Sequence, residues 1–516
     1  MSAGLHESQH VGIVGAGAMG AGIAQVAVLA GHRVVLYDLS ARAVDQALAS
    51  IAAALDKLVA KGRLQRTQAE CATGRLTAAR GLEDLKDAGL VVEAVAEKLE
   101  IKQRLFADLE AIVGDECVLA TNTSSISVTA IGASLARPER LVGMHFFNPA
   151  PLMALVEVVS GLATSKRVAD LVHATAANWG KVPVHAKSTP GFIVNRVARP
   201  FYAEGLRVLI EQAADAASID AVMREAGQFR MGPFELMDLI GHDVNFAVTE
   251  SVFRAMFGDR RFTPSLVQRE LVDGGFLGRK SGRGFFDYAP EAPKPEPIFE
   301  APVSAPASVR LGPPSAPGAR LQARLMEAGL PIAHERIDEP GVIAEIDGAW
   351  LMQTDGRTAT KRAADLGRND IVLVDFARDY FSAKAIGVSR AMQCGDAAYR
   401  AVLGALQRCH CEVVAMKDVA GLAVMRTVAM LVNEAADAVD QGVCSPDDLD
   451  LAMEKGVNYP IGPLKWADEA GVALIHRVLT HLAGHYGEDR YRISPLLSAH
   501  RWSGMPIHGG ATHAAA

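Results

Sequence analysis

The chain has 516 residues, which predicts three or four separately packed units and excludes a single small binding module. Half of the residues are hydrophobic and 22% are charged, a globular mixture that excludes wholesale disorder. A formal net charge of -7 leaves no basic footprint, so nucleic acid is not expected as a partner.

Six cysteines, at 71, 117, 394, 409, 411 and 444, include no C-x-x-C pair, so neither a disulfide framework nor a metal site is expected. Cys409, His410 and Cys411 could be read as a metal cluster. On a strand, however, adjacent side chains face opposite ways and cannot close a tetrahedral site. The polar start Met1–His10 lacks the basic run of a signal peptide, and a reducing cytoplasm is the expected compartment.

Val11–Gly31 carry no charge over 21 positions, which by hydropathy alone reads as a membrane span. The glycines argue otherwise, and no membrane association is expected. Gly15, Gly17 and Gly20 form G-x-G-x-x-G directly after the apolar run Val11–Val14, and Ala21–Ala30 then has helix-forming composition. A second strand follows and ends in Asp38. In that order Gly15 permits a tight turn, Gly17 admits a pyrophosphate, and Gly20 lets the helix pack on the strand. The turn through Ala18 and Met19 offers amides and a positive helix end to the phosphates. Asp38 suits a ribose hydroxyl and repels a 2′-phosphate, so NAD is expected rather than NADP. A lone glycine motif is weak, but the strand, turn, helix, strand and acid in order favour the functional reading.

Thr121–Ser125 follow the apolar strand Cys117–Ala120, and hydroxyls at a strand's carboxyl end open onto the ligand crevice. Taken alone, Thr123 or Ser124 is better read as the cap of the next helix. His145 leaves the strand Leu141–Met144, where an imidazole serves proton transfer near neutral pH. Glu157 is a single carboxylate in the apolar run Leu155–Val159 and needs a partner, for which His145 is the candidate. Such a pair beside a nicotinamide predicts alcohol oxidation by general base and hydride transfer. Asn195 adds an amide at a domain junction, although a local helix-start role is the better reading of it alone.

From Thr189 the pattern turns helical, through Arg196–Gln212 and Asp220–Ala226. Nine of the 24 prolines fall between Pro290 and Pro317, which reads as an extended linker. Beyond it the chain repeats itself at a constant offset of 230 residues: Gly191 matches Gly421, Arg196 matches Arg426, Glu204 matches Glu434, Asp220 matches Asp450, and Gly232-Pro233 matches Gly462-Pro463. In the same register Leu141–Phe146 faces Ile371–Phe376, so the second copy has no histidine where the first has His145. No G-x-G-x-x-G occurs between Gly318 and His410. The expected plan is α/β plus all-α. Residues 1–188 form a Rossmann-type doubly wound sheet domain and 189–289 a helical domain. Residues 290–317 form the linker, 318–415 a degenerate Rossmann-like domain without cofactor, and 416–516 a second helical copy.

The motifs Gly15–Gly20, Asn122–Ser125, His145–Pro149, Leu155–Val158 and Pro190–Arg196, in that order, resemble the NAD-dependent 3-hydroxyacyl-CoA dehydrogenases over residues 8–288. The linker and second half are similar to the long bacterial members, above all those of phenylacetate degradation that act on 3-hydroxyadipyl-CoA. The resemblance implies oxidation of an (S)-3-hydroxyacyl-CoA in β-oxidation. 3-Hydroxybutyryl-CoA is the alternative substrate, and a non-catalytic NAD-binding structural protein is the rival class. It implies His145 as general base, Glu157 as its orienting carboxylate, and Ser124 and Asn195 as contacts to the substrate oxygen. It places Glu97, Lys102, Asn148 and Lys280 around the cofactor and Lys61 on the CoA phosphates. A CoA-contacting serine of the family falls on Ala54, a departure that weakens the match at that end. The short members dimerise through the helical domain, so the second copy is expected to pack as an internal pseudo-dimer, with further homo-oligomerisation left open.

Overall fold

Short runs of Val, Ile, Leu and Ala, broken by glycine and polar turns, become buried strands, and the longer amphipathic stretches between them become helices. The computed structural model describes residues 4–314 and 316–509. The chain divides into two units, one of residues up to Arg196 with Gln441–Val457, the other of Val197–Asp440 with the residues from Asn458 onward.

The first unit is built on β1 (His10–Val14), β2 (Val34–Tyr37), β3 (Leu76–Ala78), β4 (Ala88–Glu93), β5 (Val118–Thr121), β6 (Leu141–Phe146), β7 (Leu155–Ser160) and β8 (Val182–Lys187). Their order is β3-β2-β1-β4-β5-β6-β7-β8. All neighbours run parallel except β6 and β7. The order reverses between β1 and β4, the switch point at which open α/β sheets bind ligands. The helix Pro446–Gly456 also belongs to this unit and lies on β7 and β8.

The second unit carries a six-stranded sheet of β9 (Val309–Leu311), β10 (Val342–Ile346), β11 (Ala349–Gln353), β12 (Ile371–Val374), β13 (Ala385–Arg390) and β14 (Glu412–Ala415). The 230-residue register holds for β12, β13 and β14 against β6, β7 and β8, and β11 stands on β5 with its start shifted by one residue. It holds for the helices Lys166–Asn178 and Asp396–Arg408, and for Pro233–Ile240 and Pro463–Ala470. Backbone angles repeat as well: Gly191 and Gly421 share φ 78°, and Phe192 and Leu422 have φ 47° and 54°. The counterparts of β1 to β4, with their glycine turn, are replaced by β9 and β10, which pair antiparallel.

Three expectations need correction. The linker is not a free spacer: β9 lies inside it, and Glu300 N donates to Val413 O while Val303 N donates to Gln407 Oε1. Cys409, His410 and Cys411 are not on a strand but turn off the helix Asp396–Arg408 into β14, with His410 at φ 54°. The segment 196–212 is two helices, Val194–Val197 and Arg199–Ile210, because Pro200 has no N–H to continue the first. Met430 stands at the matching place in the second copy, and Val424–Asp440 is unbroken.

The two helical copies meet within the second unit, where Arg199–Ile210 packs against Val424–Asp440. Arg426, fully buried, reaches Glu204 at 2.6 Å and Glu211 at 2.9 Å, and Arg261 pairs with Glu434 and Asp437. Phe201 and Phe229 of the first copy meet the Tyr459 ring of the second, tilted at 45° and edge-on at 85°, with centroids 5.8 and 5.2 Å away. In the same unit the helix Ala216–Glu225 lies on β13, as its counterpart Pro446–Gly456 lies on β7 and β8 in the first unit.

Candidate active site

Antiparallel pairing sets His145 on β6 directly opposite Glu157 on β7. His145 Nδ1 lies 2.7 Å from Glu157 Oε2, and the two residues are 5% and 0% exposed. The other carboxylate oxygen, Oε1, accepts the N–H groups of Ile193 and Val194 at 3.0 Å each, where a helix begins. A carboxylate among three donors acts as an acceptor, so the bonding pattern puts the ring proton on Nδ1 and leaves the Nε2 lone pair free. Phe147 and Phe192 flank the imidazole with ring centroids 4.6 and 5.8 Å away.

Asn122 ties this strand end to its neighbours: its Oδ1 accepts Phe146 N at 2.8 Å, and its N–H donates to Glu93 O at 2.8 Å. The loop after β5 is held by Glu97, whose Oε1 accepts the Thr123 hydroxyl at 2.5 Å, Ser124 N at 3.0 Å and Ser125 N at 3.2 Å. Burial pushes the Glu97 carboxyl up, but the Thr123 hydroxyl, the Lys102 charge and the Ser124 N–H outweigh it and hold the group below its usual range. The expected cap is corrected here. Neither Thr123 nor Ser124 caps the next helix, since Ser127 does, and the Ser124 hydroxyl takes no part in the bonds that hold its loop.

The glycine turn sits between β1 and the helix Ala18–Leu29. Gly15 has φ 105°, and a Cβ there would lie 2.5 Å from Ala94 O; one at Gly20 would lie 1.8 Å from Gly15 O. A Cβ at Gly17 would meet nothing within 4 Å, and the first helical turn carries no acid. Asp38, just past β2, accepts Ala16 N at 2.8 Å and Ser40 N at 2.9 Å while staying part-exposed. An open approach at Gly17, bare helix amides and a fixed carboxylate at the next strand end fit a dinucleotide.

Asn195 lies in the short helix Val194–Val197 that Glu157 starts. Asn148 is exposed in the turn after β6, and Lys61 is exposed at the end of the helix Ala41–Ala60. Lys102 is 1% exposed and turned to Glu93 and Glu97. Lys280 belongs to the second unit and reaches Asp243 Oδ2 at 2.7 Å. The reading of the sequence missed Glu93, although Leu90-Val91-Val92-Glu93 carries the same signal that singled out Glu157, one acid in an apolar strand. Among the described residues no group of three or more His, Cys, Asp or Glu side chains is placed to hold a metal. No helix among them is long and apolar enough to cross a membrane.

Residues 10–189 match the 3-hydroxyacyl-CoA dehydrogenase NAD binding domain, and the C-terminal domain of that family matches twice, at 191–288 and 421–504. The chain belongs to the 3-hydroxyacyl-CoA dehydrogenase family. Residues 351–419 match the 3-hydroxybutyryl-CoA dehydrogenase reduced Rossmann-fold domain. The chain is 45% identical over 489 residues to 3-hydroxyadipyl-CoA dehydrogenase of Escherichia coli, covering 95% of this chain and 96% of that one. A probable 3-hydroxybutyryl-CoA dehydrogenase of Deinococcus radiodurans is 42% identical over 277 residues, 54% of this chain and 99% of its own length. A crystal structure of an Escherichia coli 3-hydroxybutyryl-CoA dehydrogenase superposes with a TM-score of 0.88 at 44% identity, covering 97% and 100% of the two chains. This member is accordingly an NAD-dependent oxidoreductase that converts (S)-3-hydroxyacyl-CoA to 3-oxoacyl-CoA.

Proposed function

We propose that His145 is the general base of this oxidation, with Glu157 as the group that orients it. The observation that carries the reading is the buried 2.7 Å contact between His145 Nδ1 and Glu157 Oε2. With Nδ1–H committed to the carboxylate, Nε2 takes the proton of the substrate 3-hydroxyl, and the ionised Glu157 stabilises the imidazolium that forms. The Ser124 hydroxyl and the Asn195 amide hold the substrate oxygen. The Gly15–Gly20 turn and Asp38 hold the dinucleotide, which when bound accepts the hydride from C3. Glu97, Lys102 and Asn148 complete the surroundings of the cofactor, and Lys61 meets the CoA phosphates. The decisive experiment is His145→Gln assayed with NAD⁺ and a 3-hydroxyacyl-CoA. The expected result is a kcat lower by about 100- to 10,000-fold with NADH affinity retained. An unaltered kcat would remove the base from His145.

The acyl group we assign is 3-hydroxyadipyl, supported by the relative of that name, which is similar along almost its whole length. 3-Hydroxybutyryl is the competing assignment, because the shorter relatives and the superposed crystal structure carry that name. The ratio of kcat/KM for the two thioesters decides between them. The rival class, an NAD-binding structural protein, predicts no turnover with either.

The second half acts as an internal partner. The register of 230 residues, the Arg426–Glu204 and Arg261–Glu434 pairs and the shared aromatic core support this reading. It makes the pairs 1–188 with 189–289 and 318–415 with 416–516 the two halves of a covalent pseudo-dimer in the cytoplasm. A chain ended at residue 290 is expected to self-associate or lose thermal stability. A fully active, equally stable monomer would refute it.

A further inference from the structure

Within the second unit the two helical copies enclose a cavity of about 170 Å³, room for a small organic molecule and far more than one water needs. Among the described residues that line it, four are arginines and none is acidic: Arg199, Arg207 and Arg261 come from the first copy and Arg490 from the second. Two of the four are matched elsewhere. Arg207 holds both carboxylate oxygens of Glu488 at 2.7 Å, and Arg261 pairs with Glu434 and Asp437. Arg199 donates to the Thr249 hydroxyl at 3.1 Å. Arg490 is 7% exposed, and its buried Nε has no hydrogen-bond partner among the described residues. That Nε lies 3.7 Å from Glu488 Oε2, an oxygen that Arg207 already holds. Burial pulls the Arg490 guanidinium below its usual value and outweighs Glu204 and Glu488, which act the other way. A charged group so deeply buried calls for an acceptor.

The helix Leu266–Asp273 brings its N-terminus to the same cavity, which Ser265, Leu266 and Gln268 line. Ser265 stands at the N-cap, but its side chain caps nothing, and its buried hydroxyl has no partner among the described residues. The first turn carries no acid, so the positive helix end is not neutralised from within. Helix amides, a hydroxyl and a buried guanidinium around one space suit an oxyanion. Leu206, Ile210 and Phe262 supply apolar wall, which suits a hydrocarbon body behind the charged head better than a bare phosphate. In the 230-residue register Arg199, Thr249 and Ser265 fall on Ala429, Leu479 and Pro495, so the plan shared by the two copies does not call for these groups. We propose that this cavity binds the carboxylate of a small organic acid, with Arg490 and the Leu266–Asp273 helix end on the head group. Such a ligand joins the first copy to Arg490 of the second and stabilises their packing. The site is independent of the roles given to His145 and Glu157.

The test follows thermal unfolding of the full-length enzyme with hexanoate, inorganic phosphate or sodium chloride at equal ionic strength. Hexanoate is expected to raise Tm saturably, by about 3–6 °C at a hundred times its Kd. Arg490→Met is expected to weaken hexanoate binding by at least about tenfold, because it removes a charged hydrogen-bond donor, while kcat with a 3-hydroxyacyl-CoA stays within about twofold. If Arg490→Met does not fold, Ser265→Asp keeps a favoured N-cap residue and sets a carboxylate of the protein's own at the helix end. It is expected to raise Tm without ligand and to abolish the hexanoate shift. A hexanoate shift that survives unaltered in either variant places the carboxylate elsewhere and overturns the proposal. A shift with phosphate and none with hexanoate overturns the organic acid as ligand. An equal shift with chloride, or none with any of the three, removes the site.

Discussion

His145 on β6 and Asp375 just past β12 occupy the same place in two copies of one plan, and their surroundings show what separates the proposed reacting site from a packed one. In the first, His145 faces Glu157, and Glu157 binds the N–H groups of Ile193 and Val194. In the second, Asp375 faces Gly387 and itself binds the N–H groups of Ala423, Val424 and Met425, with Phe376 N as a fourth. Burial pushes the Asp375 carboxyl up to about 6, and the amide donors pull it the other way. The helix start still demands a buried acceptor in both copies. One carboxylate moved across the strand pair meets that demand, and the place for a base disappears.

The largest expected effect that distinguishes the two is on turnover. Glu157→Ala is expected to lower kcat by about 100- to 10,000-fold, since the imidazole loses its tautomer and its counter-charge. Asp375→Ala is expected to leave kcat per folded molecule within about twofold, and a comparable loss of turnover there would break the comparison. Arg426→Ala leaves Glu204 buried without its guanidinium and is expected to cost about 3–5 kcal/mol in denaturant unfolding. Asp375→Ala orphans four buried N–H groups, at about 1–3 kcal/mol for each that stays unpaired, read by the same measurement. Placing Asp375→His and Gly387→Glu together in a His145→Gln background is expected to restore no turnover. The second sheet has no glycine turn among its described residues, and a Cβ added at 387 would lie 2.7 Å from Met416 Sδ.

The smallest effect concerns Glu97. Its folded carboxyl titrates below the ordinary value of 4.5, so its contribution to stability is present above that pH and is lost as the pH falls through the folded value. The difference in Tm between wild type and Glu97→Gln is therefore expected to hold steady near neutrality and to close below about pH 4.5. A gap that widens in acid would contradict the bonding seen around Glu97.

Much of this molecule could be read along the chain. The apolar run, glycine turn, helix and terminal Asp38 are local features, and local spacing is enough to specify a dinucleotide turn. The repeat was legible too, because Gly-Pro and the acids recur without a gap. Glu93 carried the same lone-acid signal as Glu157 but no neighbouring motif directed attention to it. The strand β9 was hidden by prolines on either side, since composition reports the flexibility of a segment and not the sheet edge it joins.

By itself, then, the sequence determined the glycine turn, the duplication and the two residues of the buried pair, because each depends on residue types at short or constant spacing. The tertiary structure decided which oxygen of Glu157 faces the imidazole, that Lys102 is turned inward to two acids, and that Asp375 has taken over the helix start. Those outcomes depend on groups tens of residues apart being desolvated together. A buried charge takes whatever partner the fold brings within hydrogen-bond reach, and chain spacing does not encode that choice.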